Sequence, residues 1–336
     1  MMTKPLCSLI LIVAVISFTS CASTGTPPPQ PSQVTLPAGH TGIVLLGTGT
    51  PNADPERMGP SLAIIVKDKS YIVDCGVGLV RRASAAYKHG IASLKPSRLD
   101  TLFITHLHSD HTLGLADIMF TPGVLSRMQP LKIFGPPGTG DMVYHIEHAY
   151  REDVEVRLNG LEPANEEGYE FLPQECAPGQ IFQDKNVTVT AFAVRHGAWK
   201  YAYGFRFDTP ELAICVSGDT TPYPGIEENY QNCDVLIHEV YSKNGFNRRP
   251  PAWQSYHAAS HTSGVELGKI AARVKPKLLI LIHQLMWGAT EQQLMEEIRQ
   301  NFDGPVIYGD DLDYISCVGD QFKLTSLARR SLKTEK

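Results

Sequence analysis

The 336-residue chain carries no surplus of positive charge: 30 Lys and Arg stand against 35 Asp and Glu, a formal net charge of −5. At the level of the whole chain there is no basic field to draw in nucleic acid. It also lacks an apolar run long enough to span a bilayer, which takes about 20 residues. The longest, Leu6 to Phe18, has thirteen. No internal repeat is evident. Of the seven cysteines, none lies beside the histidine-rich segment described below, which argues against a Cys-ligated zinc finger.

The apolar run follows a short positive start, Met1 to Lys4, and ends in Thr19-Ser20-Cys21-Ala22. That is the order and size of a secretory signal peptide, assigned to residues 1–20. A Cys after small residues resembles a bacterial lipobox, which implies cleavage before Cys21 and a lipid anchor there. Phe18, where a Leu is usual, leaves plain secretion open. The expectation is an exported, periplasm-facing lipoprotein that touches the membrane only through its N-terminal lipid. Residues 21–40, rich in Pro and without Asp, Glu, Lys or Arg, form a tether. With Cys7 lost and Cys21 lipidated, an odd number of cysteines remains, so a fully paired disulfide framework is not expected. Cys176 and Cys317 stay open as a pair; Cys75 and Cys215 sit in apolar runs and are expected to be buried.

Residues 41–325 have no linker-like break and are taken as one domain, followed by a basic tail, 326–336. Short β-branched runs recur, among them 43–46, 62–66, 71–73, 102–104, 131–134, 187–192, 212–216, 235–237 and 278–282. Most are apolar on both faces, as in sheets covered by helices. Helical patterns lie between them at 78–88, 263–274 and 291–300, and 113–119 looks helical too. Residues 151–180 are expected to be loop with short strands. Strands interleaved with helices give an α/β fold.

The segment Thr105-His106-Leu107-His108-Ser109-Asp110-His111 places three imidazoles and a carboxylate directly after an apolar run. These are ligands for a borderline-soft divalent cation. So short a segment cannot turn all four onto one ion without strain; two ions sharing it is the easier geometry. Further candidates follow other apolar runs: His196 after 187–194, Asp219 in Ser217-Gly218-Asp219-Thr220, and His283 after 278–282. Strand ends are where open α/β sheets present their sites.

The H-x-H-x-D-H pattern resembles the signature of the metallo-β-lactamase superfamily. Together with Leu46-Gly47-Thr48-Gly49-Thr50-Pro51, Val73-Asp74-Cys75-Gly76-Val77-Gly78, Ser217-Gly218-Asp219-Thr220, Leu236-Ile237-His238-Glu239 and His261-Thr262, it is similar to the tRNase Z, arylsulfatase and cyclic-nucleotide phosphodiesterase branch. The resemblance implies a four-layer αββα sandwich. It implies that His106, His108 and His196 hold one metal, that Asp110, His111 and His283 hold a second, and that Asp219 bridges them. It counts Asp110, Glu239 and His261 among the catalytic groups, with Glu239 and His261 relaying a proton to the leaving group. Homodimers are common in the related families. Zinc suits the donors, and manganese or iron(II) would also fit them. Two such cations lower the pKa of a shared water toward ~7 and stabilise charge on phosphoryl or sulfuryl oxygens, so hydrolysis by hydroxide is expected. Asp74 is expected to orient a ligand imidazole, and His238 to pack rather than ligate. His40, His89, His145 and His148 are expected to be without catalytic role. His257, Trp199, Tyr201, Tyr203 and Trp287 are candidates for an aromatic wall, suited to an aromatic leaving group or a quaternary ammonium.

For the substrate, the leader, the acidic balance and the short stretch between His196 and Tyr201, which leaves no room for a basic tRNA-binding arm, point to a small phosphodiester or sulfate ester and no nucleic-acid partner. The alternatives are a tRNase Z-type endoribonuclease and a metal-binding lipoprotein without turnover.

Overall fold

Apolar residues alternate sides along the first strand: Ile43 and Leu45 belong to one buried cluster, Val44 and Leu46 to another. A strand whose two faces are both apolar must be covered on both, and that condition builds the molecule. The computed structural model describes residues 40–318 and 321–328. The leader, all of the tether but His40, and the tail beyond residue 328 lie outside the described residues.

The first sheet has eight strands: β1 (Thr41–Gly47), β2 (Ser61–Val66), β3 (Lys69–Val73), β4 (Thr101–Phe103), β5 (Leu131–Gly135), β6 (Phe171–Glu175), and, after the second sheet in sequence, β14 (Asp313–Val318) and β15 (Gln321–Ser326). The second has seven: β7 (Gly179–Gln183), β8 (Thr188–Ala193), β9 (Tyr203–Asp208), β10 (Ala213–Val216), β11 (Val235–Tyr241), β12 (Leu278–Leu285) and β13 (Val306–Tyr308). Strand order is 15-14-1-2-3-4-5-6 in one and 13-12-11-10-9-8-7 in the other. Phe103, Phe205, Phe207, Ile237 and Ile280 fill the space between the sheets. The helices Leu79–Lys88 and Leu115–Val124 cover the outer face of the first sheet through Leu79, Ala83, Leu115 and Ile118. Gly264–Val274 and Glu291–Arg299 cover the second through Leu267, Ile270, Leu294 and Ile298. Three apolar layers between four structural layers make the αββα sandwich.

Each apolar run read as a strand contributes to one. Strand β6 falls in the stretch expected to hold short strands, and β7, β9 and β13 to β15 are additional. The stretch 151–180 holds a helix, Arg151–Asn159, that was expected to be loop. None of its residues is fully buried; Val154 and Leu158, one turn apart, pack half-buried against the core, and the Arg157–Asp153 pair spans a turn of the same helix. Cys75, Cys176, Cys215 and Cys233 are buried free thiols, so Cys176 is not bridged to Cys317. Both belong to the inter-sheet core.

Candidate metal centre

The loop after β4 carries Thr105 and His106 inward, and Asp110 and His111 lie in the short helix Ser109–Thr112 that follows. His196 lies beyond β8 and Asp219 beyond β10. Gly218 makes the last turn possible: its φ is +60°, and a Cβ there would meet the Tyr203 carbonyl oxygen at 2.4 Å. His283 differs from expectation. It lies within β12, not after a strand ending at Ile282. Glu239 pairs with Ile282 and the adjacent Val240 with Gln284, so His283 is the extra residue of a bulge, with φ at +47°. The bulge turns one side chain of a buried strand toward the site.

The inward atoms form two groups. His106 Nε2 and His196 Nε2 each lie 3.0 Å from His108 Nδ1. Asp110 Oδ2 lies 3.5 Å from His111 Nε2 and 3.3 Å from His283 Nε2. Asp219 Oδ2 sits between them, 3.9 Å from His106, 3.8 Å from His196, 3.5 Å from His111 and 3.6 Å from His283. The structure thus gathers all seven expected ligand positions, with Asp219 placed to serve both groups.

Neighbouring atoms fix which nitrogen faces inward. Asp74 accepts from His111 Nδ1 at 2.7 Å and from the Thr105 N–H at 2.8 Å. The Thr105 hydroxyl donates to Asp74 (2.9 Å), so it accepts from His106 Nδ1 at 3.0 Å. His196 Nδ1 donates to the Ser260 carbonyl at 2.8 Å. Three imidazoles therefore turn their Nε2 atoms toward the centre. Trp199 Nε1 donates to His108 Nε2 at 2.7 Å, behind the one imidazole that presents Nδ1.

Electrostatics agree with a cation site. Burial holds His106 and His196 below the ordinary imidazole value and takes His108 to about 4. These three are neutral near pH 7 and have lone pairs to give. Burial opposes charge on His111 and Asp219 as well, but there it is outweighed. Asp219 and Asp74 raise His111, and His283 and His111 lower Asp219. The buried His111 Nε2 has no hydrogen-bond partner. A compact set of imidazoles, three of them neutral, around two carboxylates, with an orphaned ring nitrogen, fits two divalent ions.

The relay pair lies alongside. Val235 and Ile237 face the other sheet, and alternation puts Glu239 on that side. His238 faces the helices, packs on Tyr230 and donates from Nδ1 to the Glu239 carbonyl, which places it outside the centre as expected. Glu239 Oε1 accepts from the Thr262 N–H at 2.7 Å, and Oε2 lies 3.3 Å from His261 Nδ1. That second contact is too poorly aligned to be a hydrogen bond, and both atoms are left unpartnered. Burial and then Asp219 push the Glu239 carboxyl well up, and burial lowers His261 to about 4. His261 Nδ1 is also 3.9 Å from Asp219 Oδ2.

The aromatic wall is only partly as expected. Trp199 stands against His108, and His257 and Trp287 line a cavity of 680 Å³ beside His261. Tyr203 belongs to the inter-sheet core instead. The same cavity adds Arg249, Trp253 and Tyr256, which sequence reasoning did not single out. Their signal was the spacing Trp253, Tyr256, His257, which shares one helix face.

Residues 69–284 match the family model of the β-lactamase superfamily domain. The ribonuclease Z of Mycobacterium avium is 30% identical over 275 residues, covering 80% of this chain and 96% of that protein. Among solved structures, the metallo-β-lactamase fold protein YhfI from Bacillus subtilis superposes with a TM-score of 0.63 at 16% identity, over 83% of this chain and 100% of that one. Human tRNase Z, short form, superposes with a TM-score of 0.61 at 22% identity, over 82% and 98%. These two structures share the fold.

The curated relatives overturn the expectation of a small-ester hydrolase with no nucleic-acid partner, because they are ribonucleases Z. That expectation leaned on net charge and on the short segment after His196. Net charge sums the entire surface, whereas phosphates meet the few cations beside the site. Here Lys200 and Arg249 line the cavities flanking the centre. By its domain match, its relatives and its fold, the chain belongs to the metallo-β-lactamase-fold superfamily of metal-dependent hydrolases.

Proposed function

We propose that the chain is a metal-dependent endoribonuclease of the ribonuclease Z kind, hydrolysing a phosphodiester in RNA, with tRNA precursors the first substrate to test. The observation that carries the reading is a two-ion donor set sharing Asp219, in a chain whose curated relatives are ribonucleases Z.

His106, His108 and His196 would hold one ion, Asp110, His111 and His283 the other, and Asp219 both; zinc is the ion proposed. When bound, such a pair acidifies water and stabilises charge on phosphoryl oxygens. The remaining work falls to the chain. Asp74, Thr105 and the Ser260 carbonyl hold imidazoles in one tautomer and direction. Glu239, whose carboxyl is pushed up by burial, would supply a proton to His261, 3.3 Å away, and His261 would pass it to the leaving oxygen. The buried surroundings exclude competing water.

The test is cleavage of a tRNA precursor carrying a 3′ trailer by zinc-loaded protein, with the cut mapped on a sequencing gel and His108→Ala as control. Cleavage by the parent and none by the variant is expected. An intact precursor, under conditions where bis(p-nitrophenyl) phosphate is hydrolysed, would overturn the proposal. The leader at 1–20 is a separate proposal: Cys21→Ser should move the protein from the membrane to the soluble fraction, and an unchanged distribution would refute the lipid anchor.

A further inference from the structure

We propose that the cavity beside His261 is a nucleobase-binding subsite, which stacks the base of a nucleotide flanking the cleaved phosphate. The proposal deepens the ribonuclease reading and rests on it for the identity of the ring.

The cavity measures 680 Å³, ample for a nucleoside. One wall is the helix Pro251–Ser260, on which Trp253, Tyr256 and His257 share a face. Trp287, held at φ +45° just past β12, supplies a second wall. The Arg249 guanidinium lies over both indoles, 5.1 Å from the Trp253 ring centre and 5.5 Å from that of Trp287. Trp253 is 49% exposed and Tyr256 43%, so considerable π surface faces the opening.

Polar atoms distinguish this cavity from an apolar groove. His257 is 6% exposed, packed between Trp253 (5.6 Å between ring centres) and Trp287 (4.3 Å), yet neither ring nitrogen has a hydrogen-bond partner. The buried Arg249 Nε has none either. Buried unpartnered groups are costly unless a ligand completes them. A planar heterocycle with donors and acceptors on its rim and a π face to stack meets both demands, and aromatic platforms serve bases in this way. An aliphatic ligand would leave the His257 and Arg249 nitrogens unsatisfied.

Position ties the subsite to the chemistry. His261 lines the cavity and also lies 3.9 Å from Asp219 Oδ2. A base seated among the indoles therefore has its phosphate beside the metal centre.

The test is calorimetric titration of the zinc-loaded full chain with adenosine 5′-monophosphate and with ribose 5-phosphate, which share the sugar phosphate. The nucleotide should bind about tenfold more tightly or better. Trp253→Ala should bring the two within about threefold, with zinc content unchanged, and Trp253→Phe should restore much of the difference. Equal affinity of the two ligands for the parent, or a full preference in Trp253→Ala, would overturn the proposal. Nucleotide preference without RNA cleavage would defeat the ribonuclease reading and leave the subsite standing.

Discussion

Asp74→Asn replaces one carboxylate oxygen by an NH₂ and should weaken one of the two metal positions selectively. Asp74 Oδ2 accepts from His111 Nδ1 (2.7 Å) and from the Thr105 hydroxyl (2.9 Å); Oδ1 accepts from the Thr105 N–H (2.8 Å). Every partner is a donor, so whichever oxygen becomes NH₂ meets a donor. Facing Thr105, it opposes a buried backbone N–H. Facing His111, it forces the imidazole to carry its proton on Nε2, the atom that must be bare to hold a cation. A charge-assisted hydrogen bond is worth about 1.5–3 kcal/mol, close to the 10–100-fold affinity loss usual for such supporting residues. Because His111 belongs to the Asp110/His111/His283 group, the loss should appear in one equivalent of zinc, while the ion held by His106, His108 and His196 keeps its affinity within about threefold. Chelator competition with zinc counted per chain measures both equivalents, and thermal unfolding reports whether the variant is folded. A folded variant holding both ions as tightly as the parent would refute the reasoning.

Three other substitutions probe separate contacts. Glu239→Gln should keep both zinc equivalents and slow hydrolysis of alkoxide-leaving substrates by ~10²-fold or more, with little effect on p-nitrophenolate esters; kcat values for the two classes that fall in parallel would remove the relay. Trp199→Phe should tighten zinc binding about fivefold, because an ion on His108 Nδ1 leaves the proton on Nε2, facing the Trp199 N–H at 2.7 Å, and the phenyl ring relieves about 1 kcal/mol of opposed donors; weaker binding in a zinc titration would mean that the indole supports the ligand. Arg127→Met should destabilise the fold by about 3–5 kcal/mol, since the wholly buried guanidinium, lowered to about 10 by burial, serves the carbonyls of Leu99, Ile118, Met119 and Gly168; a loss under about 1 kcal/mol by denaturant unfolding would show that those carbonyls find other partners.

The metal centre was readable because its information is local. His106, His108, Asp110 and His111 are consecutive or nearly so, and each remaining donor follows or interrupts an apolar run that announces a strand. The layers were readable for the same reason: runs such as Val44 to Leu46, apolar at every position, demand cover on both faces. Strand β9, Tyr203–Asp208, carried a usable period of two, with Phe205 and Phe207 buried and Arg206 between them, but its charged residues mask the run. The Arg151–Asn159 helix offered only the pair Val154 and Leu158, one turn apart among charged residues. The His283 bulge depends on a register slip against β11, which no property of residues 278–285 alone specifies.

Substrate recognition is harder to read because it is assembled from distant segments. Asn52, Arg249, Trp253, His257 and Trp287 come from three parts of the chain and meet only in the folded sandwich. The spacing of Trp253 and His257 on one helix face is a weak local signal, and Trp253 or Trp287 alone would pass for an ordinary core aromatic. A total charge of −5 likewise says little about one mouth of the site, where Arg249 and Lys200 stand beside buried imidazoles that are neutral near pH 7. The chemistry follows from ligands fixed at strand ends, and the partner follows from the surface those ends open onto. Net charge acts on long-range encounter, whereas discrimination between a base and a bare sugar phosphate is decided within a few ångströms of Trp253, the distance over which the calorimetric comparison reads.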